Sequence, residues 1–192
     1  MHLQVEIFDN NPFSDQEVIS KAILDAKEWQ HAQYLKPKIP APSGPRWIED
    51  RGLVPLNSLT LQTDAAFSEL NQTAGLGWTI FSHSTGVLSK HSASSKYMLS
   101  PLISEALAVH TALMTATNLG AQAVVLKSDC HVLIKAINSR YPLVEIHGIL
   151  TDILQIISTF NYFACSFVPR IANSVADLLA KSALSMYPLN LV

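Results

Sequence analysis

From residue 59 the chain alternates. Leu59, Leu61 and Thr63 interleave with Thr60, Gln62 and Asp64, the period-two pattern of a half-buried strand. AsnGlnThrAlaGlyLeuGly at 71–77 reads as a turn-rich break, followed by a second strand from Trp78 through Phe81. SerHisSerThrGly at 82–86 is a hairpin turn, and 87–91 a short third strand, so the first three strands form an antiparallel meander. The period then changes. Pro101 opens a helix behind Ser100 as its cap, with Leu102, Ala106, Val109, Leu113 and Ala116 on one face and an end near Gly120. AlaValValLeu at 123–126 is a short continuous apolar run, the kind buried inside a mixed sheet. A helix over 130–138, a break at TyrPro 141–142, a helix over 145–158, a strand over 162–168 and a last helix over 173–186 complete the series. The order β-β-β-α-β-α-α-β-α implies one mixed sheet with helices on it.

The first residues follow a different pattern. Ser14 and Glu17 form a capping box ahead of Val18, Ile19, Ala22, Ile23, Ala26 and Trp29, which share one helical face. Residues 36–46 then hold four prolines in eleven positions and read as an extended linker. The chain therefore divides into an N-terminal helical segment (1–35), a proline-rich linker (36–55), a core domain (56–187) and a tail (188–192). The polar face of the N-terminal helix is mixed in charge, which suits docking on the core or on a partner better than anchoring in a membrane.

Composition narrows the possibilities. Of 192 residues, 48% are hydrophobic and 15% charged, the balance of a globular chain. No apolar run approaches the ~18 residues needed to span a bilayer. The start MetHisLeuGlnValGluIlePheAsp lacks the basic residues and apolar run of a signal peptide, so an intracellular location, nucleus or cytoplasm, is expected, with the chain a monomer. Cys130 and Cys165 are too few and too far apart for a disulfide framework or a zinc knuckle. The net charge is −2, with 13 basic residues spread along the chain. Nucleic-acid binding driven by the backbone charge alone would need a basic cluster, so any such binding here is local or metal-assisted.

Four carboxylates stand at chemically telling places. Asp64 lies inside the first strand, Glu105 in the first turns of the first core helix, Asp129 at the carboxyl end of the fourth strand, and Asp177 in the first turns of the last helix. Glu105 and Asp177 each have an ordinary explanation as complements to a helix dipole, and Asp129 as a helix cap. Asp64 has none, because Asp is disfavoured in strands and a buried carboxylate without a partner is costly. Two unit charges ~5 Å apart repel by ~3 kcal/mol at an effective dielectric of 20, so carboxylates that converge call for cations. An all-oxygen donor set favours Mg²⁺ or Mn²⁺ over zinc.

ThrAspAlaAlaPhe (63–67), AlaGlyLeuGlyTrp (74–78), SerGluAlaLeuAla (104–108), SerAspCys (128–130), PheValProArg (167–170) and AsnSerValAlaAspLeuLeuAlaLys (173–181) together resemble the type-1 ribonuclease H domain. The match is closest to the plant reverse-transcriptase-like group derived from non-LTR retroelements. The resemblance implies an α/β, ribonuclease H-like fold: a five-stranded mixed sheet of order 3-2-1-4-5 with helices on both faces. It implies a metal-dependent endonuclease that hydrolyses the RNA strand of an RNA–DNA hybrid, leaving a 3′-hydroxyl and a 5′-phosphate. Asp64, Glu105, Asp129 and Asp177 would be both the catalytic set and the ligands of two Mg²⁺ or Mn²⁺ ions ~4 Å apart. In that scheme Asp64 bridges both ions, Asp177 helps hold the one that activates water, and Glu105 and Asp129 hold the other. Asn173 and Arg170 are auxiliary candidates. Asn173 sits four residues before Asp177 and could orient that carboxylate or the water, although a simple helix cap is the plainer reading.

The sequence departs from the family pattern at three places. Ala65 replaces the usual glycine after the first aspartate, Phe167 stands near the place of a histidine, and Pro101, Leu102 and Ile103 replace polar residues that meet the hybrid's minor groove. There is also no basic protrusion between Asp129 and the last strand. These departures keep a second reading open, a ribonuclease H-fold binding or interaction module without effective catalysis. A 3′–5′ exonuclease of the same superfold would carry Asp-x-Glu in its first strand, where this chain has Ala66. AlaGlyLeuGly at 74–77 opens no helix and is read as a hairpin turn, not a dinucleotide site. His110 and His131 read as packing or surface residues.

Overall fold

The computed structural model describes residues 54–86, 88–140 and 142–186. The expected N-terminal helix, almost all of the linker and the tail lie outside the described residues. The elements run β1 (Leu59–Ser68), β2 (Thr73–Ser82), β3 (Leu88–Lys96), α1 (Pro101–Asn118), β4 (Ala123–Ser128), α2 (His131–Ser139), α3 (His147–Ile157), β5 (Tyr162–Phe167) and α4 (Ser174–Ser185). Short 3₁₀ turns occupy Val144–Ile146 and Arg170–Asn173. Element order and type match the sequence reading throughout.

The strands form one sheet in the order β3-β2-β1-β4-β5. The β1–β2 and β2–β3 pairs are antiparallel, and β1–β4 and β4–β5 parallel. Ser100 caps α1 as expected, its Oγ accepting from the Ile103 N–H at 3.2 Å while donating to Glu145. Gly120, at φ +73°, follows the helix end in the left-handed region, where glycine has no Cβ penalty.

The two faces of the sheet are covered differently. Leu61, Leu76, Ile80, Val124, Leu126 and Phe163 pack with Val109 and Leu113 of α1, Leu133 and Ile137 of α2, and Ile153 and Ile157 of α3 in one buried cluster. Alternation along β2 sends Gly75 and Gly77 to the opposite face. There α4 lies against them, and a Cβ on either glycine would overlap the α4 backbone at Ala180 or Ala176. Ala176, Ala180 and Ala183 are the buried residues of that helix. Small residues on both sides thus bring helix backbone onto strand backbone.

That contact corrects the reading of 71–77. AlaGlyLeuGly is not a hairpin turn but part of β2, and the turn sits at 69–72, with Gln72 at φ 49°. The glycines look like turn signals because the sequence does not show the helix that requires them. The third strand is likewise longer than 87–91. Its nine residues, LeuSerLysHisSerAlaSerSerLys, alternate between exposed and half-buried, so hydrophobic periodicity fades while edge pairing continues. The last helix begins at Ser174 behind a 3₁₀ turn, a shift within ordinary boundary error. Both cysteines are free, and among the described residues no helix is long and apolar enough to cross a membrane.

Gly77→Ala is expected to destabilise the fold by about 1–3 kcal/mol, because backbone rather than a flexible side chain must move. The midpoint of urea unfolding should fall. An unchanged midpoint would show that α4 is not seated on β2 in this way.

Candidate metal centre

The site begins where the sheet is interrupted. Strand β1 pairs with β4 only as far as Thr63 and Ser128. Asp64 is the next residue of β1, still paired with Gly77 of β2 on its other side. Asp129 is the residue after β4. The two carboxylates therefore flank a notch in the sheet, the carboxyl-end position at which open α/β sheets build sites. From one face, α1 contributes Glu105 on its second turn. From the other, α4 approaches through its contact with Gly77.

Asp64, Glu105 and Asp129 each place one carboxylate oxygen within 4.8 Å of the other two. Asp64 is only 4% exposed. Its Oδ1 accepts the Ala65 N–H at 2.8 Å. Asp64 Oδ2 and Glu105 Oε2 are buried and receive no hydrogen bond from a protein donor. Burial, then the charge of Asp129, raises the Asp64 carboxyl to about 6. Burial, then the charge of Asp64, raises Glu105 to about 9. A proton on Glu105 relieves the repulsion and lets it hydrogen-bond to Asp64.

Asn173 braces this arrangement. Its fully buried side-chain amide donates to the Thr63 carbonyl and to Asp129 Oδ1, each at 2.8 Å. It occupies the N-cap position of α4 yet makes no capping side-chain bond. The plain-cap reading is thus corrected in its bonding, and the carboxylate this side chain holds is Asp129. Its two amide hydrogens are committed to β1 and to Asp129, leaving none for Asp177, and its Oδ1 accepts from no N–H of the helix. Asp129 is no helix cap either, since Cys130 occupies the N-cap of α2.

Asp177 stands apart from the three. Arg170 Nη2 reaches its Oδ1 at 3.1 Å and Lys181 Nζ its Oδ2 at 2.7 Å. The hydrogen bond from Lys181, with that from Arg170, holds its carboxyl below the usual range. The charge of Asp177 still reaches Asp64 and helps raise it. Lys181 is the residue the sequence reading passed over, although an Asp–Lys pair at i, i+4 on a helix is a legible signal.

The departures from the family pattern also take their places. The Ala65 side chain is partly buried and packs against the core cluster. Leu102 and Ile103 pack there too, and Pro101 is exposed. Phe167 is 47% exposed and meets the His131 ring edge-on at 5.6 Å.

Two carboxyls with raised folded-state values make the metal-free protein pH-sensitive. Because they protonate more readily folded than unfolded, their contribution to stability is greatest below the unfolded values, near 4, and is lost as pH rises through about 6 and then about 9. Glu105→Gln, measured by thermal unfolding in chelator, is expected to flatten this decline and raise the midpoint at pH 8 by at least about 3 °C. Parallel pH profiles for the two proteins would contradict the site's electrostatics.

Comparison with known proteins agrees with this architecture. Among curated proteins none matches the chain. Solved structures with the same fold include the RNase H1 of the halophilic archaeon Halobacterium salinarum NRC-1, with a TM-score of 0.62 and 21% identity over 67% of this chain and 98% of that one. The N-terminal RNase H domain of a Mycobacterium tuberculosis protein gives 0.62 and 18%, over 67% and 94%. LC11 RNase H1, isolated from compost by a metagenomic approach and also solved in complex with an RNA/DNA hybrid, gives in that complex 0.59 and 19%, over 66% and 96%. The model of the reverse transcriptase-like family matches residues 62–183, from the strand that bears Asp64 to the end of the helix that bears Asp177, and the chain belongs to that family.

Proposed function

We propose that this protein is a divalent-metal-dependent endonuclease that hydrolyses the RNA strand of RNA–DNA hybrids. The observation that carries the reading is the cluster of Asp64, Glu105 and Asp129 with two buried oxygens lacking a protein donor. These atoms suit a hard cation. They are all oxygen, and they are close enough to share one ion. The hybrid complex of LC11 RNase H1, which shares the fold, supports the choice of substrate.

In this reading Asp64, Glu105 and Asp129 would hold Mg²⁺ or Mn²⁺, and Asp177 would be the further carboxylate of a two-ion set. Bound divalent ions supply a Lewis acid and lower the pKa of a coordinated water. The protein supplies the geometry. Burial keeps Asp64 from bulk water, and Asn173 fixes the Asp129 carboxylate against the Thr63 carbonyl. Arg170 and Lys181 place positive charge beside the cluster, where a phosphodiester would lie. Hydrolysis adds the water oxygen to phosphorus and breaks the P–O3′ bond, leaving a 3′-hydroxyl and a 5′-phosphate. The same motifs support descent from a plant non-LTR retroelement.

A labelled hybrid incubated with the full chain and Mg²⁺ or Mn²⁺ should be cut in its RNA strand. Asp64→Asn should slow cleavage on the order of 10²–10³-fold, the cost of losing one preorganised electrostatic partner. Absence of metal-dependent cleavage by the unmodified protein would end this reading. Asn173→Ala is expected to raise the Mg²⁺ concentration for half-maximal activity about 10–100-fold, as for a residue that orients a metal ligand. An unchanged Mg²⁺ titration would reduce Asn173 to a packing residue.

A further inference from the structure

A groove of about 480 Å³ opens beside the carboxylates, lined by His131, Ile134, Lys135, Asn138, Ser139 and Phe167. Helix α2 forms one wall and the end of β5 the other. Both walls start at the metal centre: His131 is two residues beyond Asp129, and the Val168 N–H, next to Phe167, donates to the Ser128 carbonyl at 3.0 Å. The floor is tied across. Asn138 donates to the Cys165 carbonyl at 3.3 Å, and the Cys165 thiol donates back to Asn138 Oδ1 at 3.1 Å.

The lining has a definite chemistry. Among the described residues no Asp or Glu lines the groove, although the chain as a whole is acidic. Neither ion pair among the described residues involves Lys135. His131, Lys135 and Asn138 follow one another at i, i+4 and i+7 along one side of α2. Phe167 presents an exposed ring held edge-on by His131. An aromatic ring beside a cation is how proteins take hold of an unpaired base and its phosphate. The volume is that of a small-molecule site. Bases inside a duplex are already stacked on both faces and offer no ring to Phe167, whereas an unpaired base does.

We infer that this groove binds an unpaired nucleotide of a strand leaving the hybrid, with its base on Phe167 and its phosphate at Lys135, so that the protein prefers hybrids bearing a single-stranded extension. The inference rests on the proposed nuclease function for the position of the hybrid, but not for the binding of the nucleotide.

The test uses the full chain and four hybrids of one sequence, each with a short unpaired extension at one end of one strand, against the blunt hybrid. At least one extension should lower KM about 5-fold or more, the low end of what stacking one base contributes. In Phe167→Ala and Lys135→Ala the KM ratio between blunt and extended hybrid should collapse towards one. Equal KM values for all five substrates, or a preference that survives in both variants, would overturn the inference. Fluorescence anisotropy of a labelled unpaired oligonucleotide gives a readout independent of cleavage. Weaker binding by both variants supports the groove even if no hybrid is cut, and undiminished binding rejects it even if hybrids are cut. Lys135 is exposed and lies outside the core, so its variant keeps the test meaningful if loss of Phe167 disturbs β5.

Discussion

Repulsion among three carboxylates at the notch beyond β4 is the constraint around which the other features are arranged. Asp64 is almost fully buried and shares its surroundings with Glu105 and Asp129. Such a cluster is unfavourable unless charge is removed or balanced. The protein can remove it by protonating Glu105, and a divalent ion balances it. Either way the surrounding structure must keep the carboxylates from turning outward. The Ala65 N–H and the Asn173 amide do this, one from within β1 and the other by tying the beginning of α4 to β1 and to Asp129.

The seat of α4 matters for the same reason. Gly75 and Gly77 let its backbone settle on β2, and Gly77 is the cross-strand partner of Asp64. Packing and site are therefore one arrangement. The helix that lies on the glycines also carries Asp177 and Lys181, and the 3₁₀ turn before it carries Arg170 and Asn173. Around Asp177 the balance of charge is opposite to that of the main cluster: two cations meet one carboxylate. A negatively charged strand lying across the notch would find positive charge on that side, and on the α2 side the acid-free groove with Lys135. This local distribution sets positive charge beside the notch of a chain that is acidic as a whole.

What the sequence determined by itself was element type, element order and the identity of the carboxylates. Those features are local or nearly so: period two against period 3.6, a proline and serine at a helix start, an aspartate at 64 where the strand pattern leaves no reason for it. The strand order of the sheet came only from the family resemblance that the motifs carry. Tertiary structure decided what depends on residues far apart in the chain. Glycines at 75 and 77 look the same in a turn as beneath a helix, and only the position of Ala176 and Ala180 tells the two apart. Nothing local distinguishes Asn173 as a helix cap from Asn173 as a brace, because its partners, Thr63 and Asp129, are 110 and 44 residues away. Asp177 is likewise one of four acidic residues in sequence, but in space it is bound by two cations while the other three converge. Burial, partner geometry and electrostatic coupling arise only when the chain is folded, so the sequence could name the groups of the site but not their pairing.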